Sequence, residues 1–132
     1  MVLGEKVKEI IVAGPVIVES EKLLVILDEQ GYYKTPGGKK EKNETMEETV
    51  KREALEEVGA QTEVKEVFSE HFVTRGEKNY HLFNLRSELK TRPKMTQEIK
   101  EFRWISYEDS KKLNLSSNVK ELIDLLHKGG EM

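Results

Sequence analysis

The sequence predicts an α/β domain, and three observations carry that prediction. Short runs of Val, Ile, Leu and aromatic residues recur between turn residues. Three segments lying among and after those runs have helical periodicity or helix-capping residues. The whole chain is 132 residues, enough for one ordinary domain spanning 1–132.

Val7 to Val18 is rich in Ile and Val and is interrupted at Gly14-Pro15, so it reads as one or two strands. Glu19 to Lys22 is a polar turn, and Leu23 to Leu27 is a short, wholly apolar strand. Asp28-Glu29-Gln30-Gly31 turns the chain into a short extended piece at Tyr32-Tyr33-Lys34. Pro36-Gly37-Gly38 then breaks regular structure, because Pro lacks an N–H and Gly admits positive φ. A polar loop to Asn43-Glu44 leads into a helix from about Met46 to Val58. Thr45 and Glu48 have capping-box spacing at its start, and Gly59 sits where a left-handed cap belongs. Gln61 to Val73 and Tyr80 to Leu89 predict two strands joined by the turn Arg75 to Asn79. Glu98 to Ile105 predicts a further strand, Ser106 caps a short helix, and Asn118 caps a last helix ending at Gly129-Gly130.

Composition narrows the function classes. Net charge is −3, so no global basic field announces a stable nucleic acid complex. The chain has no cysteine, which excludes a disulfide framework, a zinc-thiolate site and a thiol nucleophile. The N-terminus lacks an apolar signal core, and no apolar run approaches the roughly 20 residues of a membrane helix. The expectation is a soluble, cytoplasmic protein with no membrane partner, either a monomer or a homodimer.

The informative helix is the one at Met46 to Val58. Met46, Val50, Ala54 and Val58 form an apolar stripe covering about 0° to 120° of the helical wheel. Glu57 falls near 20°, inside that stripe, Glu53 near 340° on its border, and Glu56 near 280°. Carboxylates at a buried edge require neutralisation, and oxygen ligands suit Mg²⁺ or Mn²⁺. A Glu-rich solvated helix is the competing explanation, and periodicity alone leaves both open.

Gly38, Glu44, Arg52, Glu53, Glu56, Glu57 and Gly59 together resemble the Nudix signature, which here spans residues 38–60. In that signature Gly is followed after five residues by Glu, then after seven by Arg-Glu, an aliphatic, any residue, Glu-Glu, any residue and Gly. At this chain's own residue frequencies a chance match is on the order of 10⁻⁵. Tyr33-Lys34-Thr35-Pro36-Gly37-Gly38 is similar to the family's aromatic-x-x-Pro-Gly-Gly lead-in, and Phe102-Arg103-Trp104-Ile105 to its late strand. Ala54 and Ala60 stand where larger aliphatics are commoner.

The resemblance implies an α/β/α sandwich around a mixed sheet, with a MutT-like, Mg²⁺-dependent hydrolase activity (Mn²⁺ as alternative). The substrate it implies is a nucleoside diphosphate linked to a further group. A nucleoside triphosphate, unmodified or oxidised, cut to monophosphate and pyrophosphate is the leading form. Dinucleoside polyphosphates, ADP-sugars and a non-catalytic nucleotide-binding role are the alternatives. Carried over, Glu53, Glu56 and Glu57 are metal ligands, joined by the Gly37 carbonyl and by Glu98 as late-loop base or further ligand, with Glu101 second. Arg52 orients a neighbouring glutamate, and Glu44 is an auxiliary group behind the ligands. Tyr33, Lys34, Gly37, Gly38 and Lys39 are candidates for substrate contact. So is Asn118, as a purine reader, although its spacing to Glu121 favours a helix cap. Relatives often hold phosphate with an Arg just beyond the second strand; here Leu27-Asp28 stand there, leaving Lys34, Lys39 and Lys40 as substitutes. His71 and His81 lack metal-ligand spacing, and Trp104 reads as core.

Overall fold

The structure is a computed structural model that describes residues 8–132. In chain order the elements are β1 (Lys8–Val16), β2 (Val18–Glu19), β3 (Lys22–Leu27), β4 (Tyr33–Lys34), β5 (Gly38–Lys39) and α1 (Met46–Val58). Then follow β6 (Thr62–Arg75), β7 (Lys78–Leu89), β8 (Phe102–Ile105), α2 (Tyr107–Ser110) and α3 (Ser117–Lys128). One sheet has the order β5-β1-β7-β6 and is mixed, because β1 runs parallel to β7 while the other pairings are antiparallel. The second sheet is antiparallel, with β2, β4 and β8 all pairing with β3.

Strand β3 shows why the layers stack as they do. Side chains alternate across a strand, so an apolar run must be covered on both faces. Leu23 and Val25 pack with Val119, Leu122 and Leu126 of α3, whereas Leu24 and Ile26 pack with Val58 and Ala60 at the end of α1. Val50 of α1 meets Ala13 of β1 and Leu85 of β7 on the same side. The result is the expected α/β/α sandwich, with α1 on one face and α3 on the other. None of the helices among the described residues is long and apolar enough to cross a membrane.

Several sequence expectations are corrected. The predicted strand Glu98 to Ile105 is a strand only from Phe102, because Ile99 turns inward to bury itself beside Val58 and Ala60. The pair predicted as Gln61–Val73 and Tyr80–Leu89 extends into one long hairpin closed at Gly76-Glu77, with register shifts between Val64 and Ser69. Gly38 and Lys39, read as part of a structure-breaking loop, pair with Ala13 and Val12. Asn118 does not cap α3; Ser116 does, accepting the Val119 N–H at 3.3 Å. Val7, at the edge of the first predicted strand, lies outside the described residues.

Candidate active site

Helix α1 is fixed at both ends by local chemistry. Thr45 and Glu48 form the reciprocal capping box, and Gly59 closes the helix at φ 61°. The carboxylates are thereby held at set heights on a rigid element. Glu53 has a side-chain exposure of 13%, whereas that of Glu56 is 48%, so the three glutamates do not share one environment.

Arg52 organises the polar edge of this helix. Its Nε and Nη2 donate to the two oxygens of Glu44 at 2.6 and 2.9 Å, a fork geometry that lysine does not reproduce. Its Nη1 donates to Glu53 at 2.8 Å and sits 3.4 Å from both oxygens of Glu56. Nη2 also donates to the Lys39 carbonyl at 3.1 Å. Glu44 in addition accepts from the Glu41 N–H and the Thr49 hydroxyl. The Arg52 guanidinium, with those donors, holds the Glu44 carboxyl down to about 2. Arg52 is itself raised, first by its bond to Glu44.

Glu57 is different. Its Oε1 accepts the Gly37 N–H at 2.7 Å, which ties α1 to the loop before β5. Burial nevertheless pushes its carboxyl up to about 7, with Gly37 and Lys34 pulling the other way and Glu53 and Glu56 adding to the rise. Glu53 is also raised, again by burial first, against the pull of Arg52.

Glycine is demanded at three points around these groups. A Cβ on Gly38 would lie 2.4 Å from Glu53 Oε1, and one on Gly37 would lie 2.8 Å from the Ala13 carbonyl at a φ of +148°. A Cβ on Gly14 would stand 2.1 Å from the Pro36 carbonyl oxygen. The Pro36-Gly37-Gly38 loop therefore lies directly on β1 and against the Glu53 carboxylate.

Two clefts meet beside this helix. One, of about 500 Å³, is lined by Glu57, Glu98, Lys34 and residues 26–30. The other, of about 540 Å³, is lined by Gly37, Tyr32, Tyr80, Asn84 and Asn118 among others. Asp28, Gln30 and Lys34 line both. The structure thus gathers Arg52, Glu44, Glu53, Glu56, Glu57, Gly37 and Gly38 into one neighbourhood, and sets Lys34, Glu98 and Asn118 around the adjoining clefts.

Not every candidate sits there. Tyr33 is turned into the core, 8% exposed, with its hydroxyl donating to Glu101. Its neighbour Tyr32 is the tyrosine that lines a cleft, a one-residue change of strand face. The Lys39 side chain lines neither cleft; its contribution is the carbonyl taken by Arg52. Asn84, Arg75 and Lys120 were not singled out from the sequence, yet with Tyr80 they line the larger cleft. Asn84 carried a usable signal, being an amide in the otherwise apolar run Leu82-Phe83-Asn84-Leu85.

The donor set around Glu57 suits a hard divalent cation. It consists only of oxygens, and a buried carboxyl with a single hydrogen-bond donor gains most from a positive neighbour. Among the described residues, however, no three acidic or histidine side chains are already drawn into a ligand-like cluster. The contacts say why: Arg52 draws Glu53 and Glu56 to itself, and Gly37 draws Glu57.

The family model of the NUDIX domain matches residues 8–126. Among solved structures, the E. coli ORF135 protein is similar at 24% identity and a TM-score of 0.80, over 94% of this chain and 91% of that one. The MutT protein from Methanosarcina mazei Go1 is similar at 20% identity and a TM-score of 0.81, over 97% and 99%. A NUDIX hydrolase from Nitrosomonas europaea is similar at 20% identity and a TM-score of 0.80, over 92% and 90%. No curated protein sequence matches the chain.

Proposed function

The chain belongs to the NUDIX domain family of pyrophosphohydrolases, and from that premise we propose that it cleaves nucleoside triphosphates to nucleoside monophosphate and pyrophosphate in a Mg²⁺-dependent reaction. The observation that carries this reading is the position of Lys34. It lies where two clefts join, with Glu57 and Glu98 along one and Asn118 along the other. A diphosphate beside α1 and a base near Asn118 would then belong to one extended ligand.

In this reading Glu53, Glu56 and Glu57, with the Gly37 carbonyl, would hold Mg²⁺ or Mn²⁺. The ion, when bound, supplies neutralisation of the diphosphate oxygens and acidifies a water. The chain's own part is placement. Lys34 presents its ammonium to the anionic bridge from the wall shared by the clefts. Glu98 takes the proton of the attacking water, in a cleft that Ile26, Leu27 and Ile99 help to line. Arg52 keeps Glu53 at its height on α1, and Glu44 keeps Arg52 there. Asn118, released from a capping role by Ser116, is available to a nucleobase edge.

The test is chromatographic separation of the products formed from a nucleotide panel with and without Mg²⁺. The panel should contain the four common nucleoside triphosphates, 8-oxo derivatives, ADP-ribose and a dinucleoside polyphosphate. Turnover confined to triphosphates and abolished by EDTA is expected. Metal-independent binding of every member without turnover would replace hydrolysis with a sensing role.

A further inference from the structure

Deep in the larger cleft, two asparagines face each other across elements distant in sequence. Asn84 of β7 and Asn118 of α3 are 2% and 7% exposed. Asn84 Nδ2 donates to Asn118 Oδ1 at 2.9 Å, and Asn118 Nδ2 donates back to Asn84 Oδ1 at 3.0 Å. Asn84 Nδ2 also donates to Ser69 Oγ on β6 at 3.1 Å.

A primary amide has two N–H donors and a carbonyl with two lone pairs. Both N–H donors of Asn84 are therefore used. Asn118 keeps one N–H and one lone pair without a partner among the described residues, and its side chain belongs to the cleft wall. The three-membered chain has a second state that also makes three bonds, at the expense of one Asn84 N–H that loses its partner. Turning both amides over re-forms the reciprocal pair and brings the Asn84 carbonyl to Ser69, whose hydroxyl then donates instead of accepting. The free N–H and lone pair of Asn118 exchange places. A backbone partner in the position of Ser69 would forbid one of the two states; a hydroxyl permits both.

We propose that Ser69, Asn84 and Asn118 form a reversible hydrogen-bond relay that lets the cleft accept both keto-edged bases (guanine, uracil) and amino-edged bases (adenine, cytosine). Ser69 and Asn84 act as positioning residues through Asn118. The inference deepens the proposed function and rests on Asn118 meeting the base.

Two measurements separate the relay from that reading: kcat/KM for the four nucleoside triphosphates, and Kd for the four nucleoside monophosphates, which needs no turnover. Wild type should hold the keto-to-amino ratio within about 10-fold. Ser69→Ala removes the acceptor that favours the observed state, because one Asn84 N–H is then left without a partner whichever way the amide is turned. That ratio should then move by at least about 5-fold, and Ser69→Thr, which retains the hydroxyl, should restore it. A uniform change across all four bases in Ser69→Ala, or a wild-type ratio beyond about 100-fold, overturns the relay. Asn118→Ala should raise Kd and flatten base preference. If it leaves preference intact, the assignment of Asn118 to the base fails first, and the relay with it. Thermal midpoints of all three variants establish that each is folded.

Discussion

The backbone N–H of Gly37 donates to Glu57 Oε1 at 2.7 Å, joining the loop laid against β1 to the carboxyl that burial has pushed up to about 7. A glutamine at position 57 would still accept that bond through its amide oxygen. Glu57→Gln should therefore keep the wild-type melting temperature to within a few degrees while lowering kcat at least about 10²-fold. Steady-state turnover beside a melting curve checks both halves. Wild-type turnover would remove Glu57 from the site.

If Glu57 is a metal ligand as proposed, the same raised carboxyl should make stability and metal affinity depend on pH in opposite directions. In the metal-free protein Glu57 binds its proton more tightly folded than unfolded, so its stabilising effect is complete below about pH 4.5 and is lost as pH rises through about 7. The span corresponds to on the order of 3 kcal/mol, and Glu53, also raised, adds in the same sense. Glu44 opposes them at lower pH, since its stabilisation disappears as pH falls from about 4.5 towards about 2. Denaturant melts of apoprotein at pH 5 and pH 8 measure the first effect. Mn²⁺ titrations in buffers of different ionisation enthalpy should show proton release at pH 6.5 that fades by pH 8.5.

Gly14 and Gly38 distinguish a structural glycine from a functional one. Gly14→Ala would press a methyl against the Pro36 carbonyl, where only backbone can yield, and should cost about 2–3 kcal/mol of stability. Gly38→Ala would meet the mobile end of Glu53, so the protein should remain stable while the displaced carboxylate lowers activity by about 10²-fold. Denaturation midpoints and kcat for the two variants should rank in opposite orders.

Arg52→Lys retains the charge and loses the fork to Glu44 and the reach to Glu53. It should lower kcat by about 10-fold or more with a smaller change in KM. A lysine variant with unaltered kcat would make the guanidinium geometry irrelevant.

Much of the site was legible because its chemistry is local. Thr45, Glu48 and Gly59 define α1 within a few residues of themselves, and the expected and observed limits coincide. Helical geometry also put Glu57 inside the apolar stripe, and the Gly37 N–H that meets it there completes its placement. Long-range partners were not legible. Asn118 has the spacing of a cap, but Asn84, 34 residues away, takes its side chain, while Tyr33 backbone bonds to Asn114 and Ser116 set the start of α3 two residues earlier than its sequence suggests. The predicted strand lost its first residues because Ile99 packs beside Val58 and Ala60 at the end of α1. The choice between Tyr32 and Tyr33 depended on strand parity, which two adjacent tyrosines do not reveal.

The carboxylates are anchored on α1 and its supporting loop, whereas the far wall of the larger cleft comes from the β6–β7 hairpin and α3. The clefts join near Lys34, and beneath them the halves share a core in which Val50 of α1 packs with Leu85 of β7. Val73, Arg75 and Tyr80 line the cleft outside that shared core, so exchanging them would reshape the far wall while leaving the packing beneath the acidic helix in place.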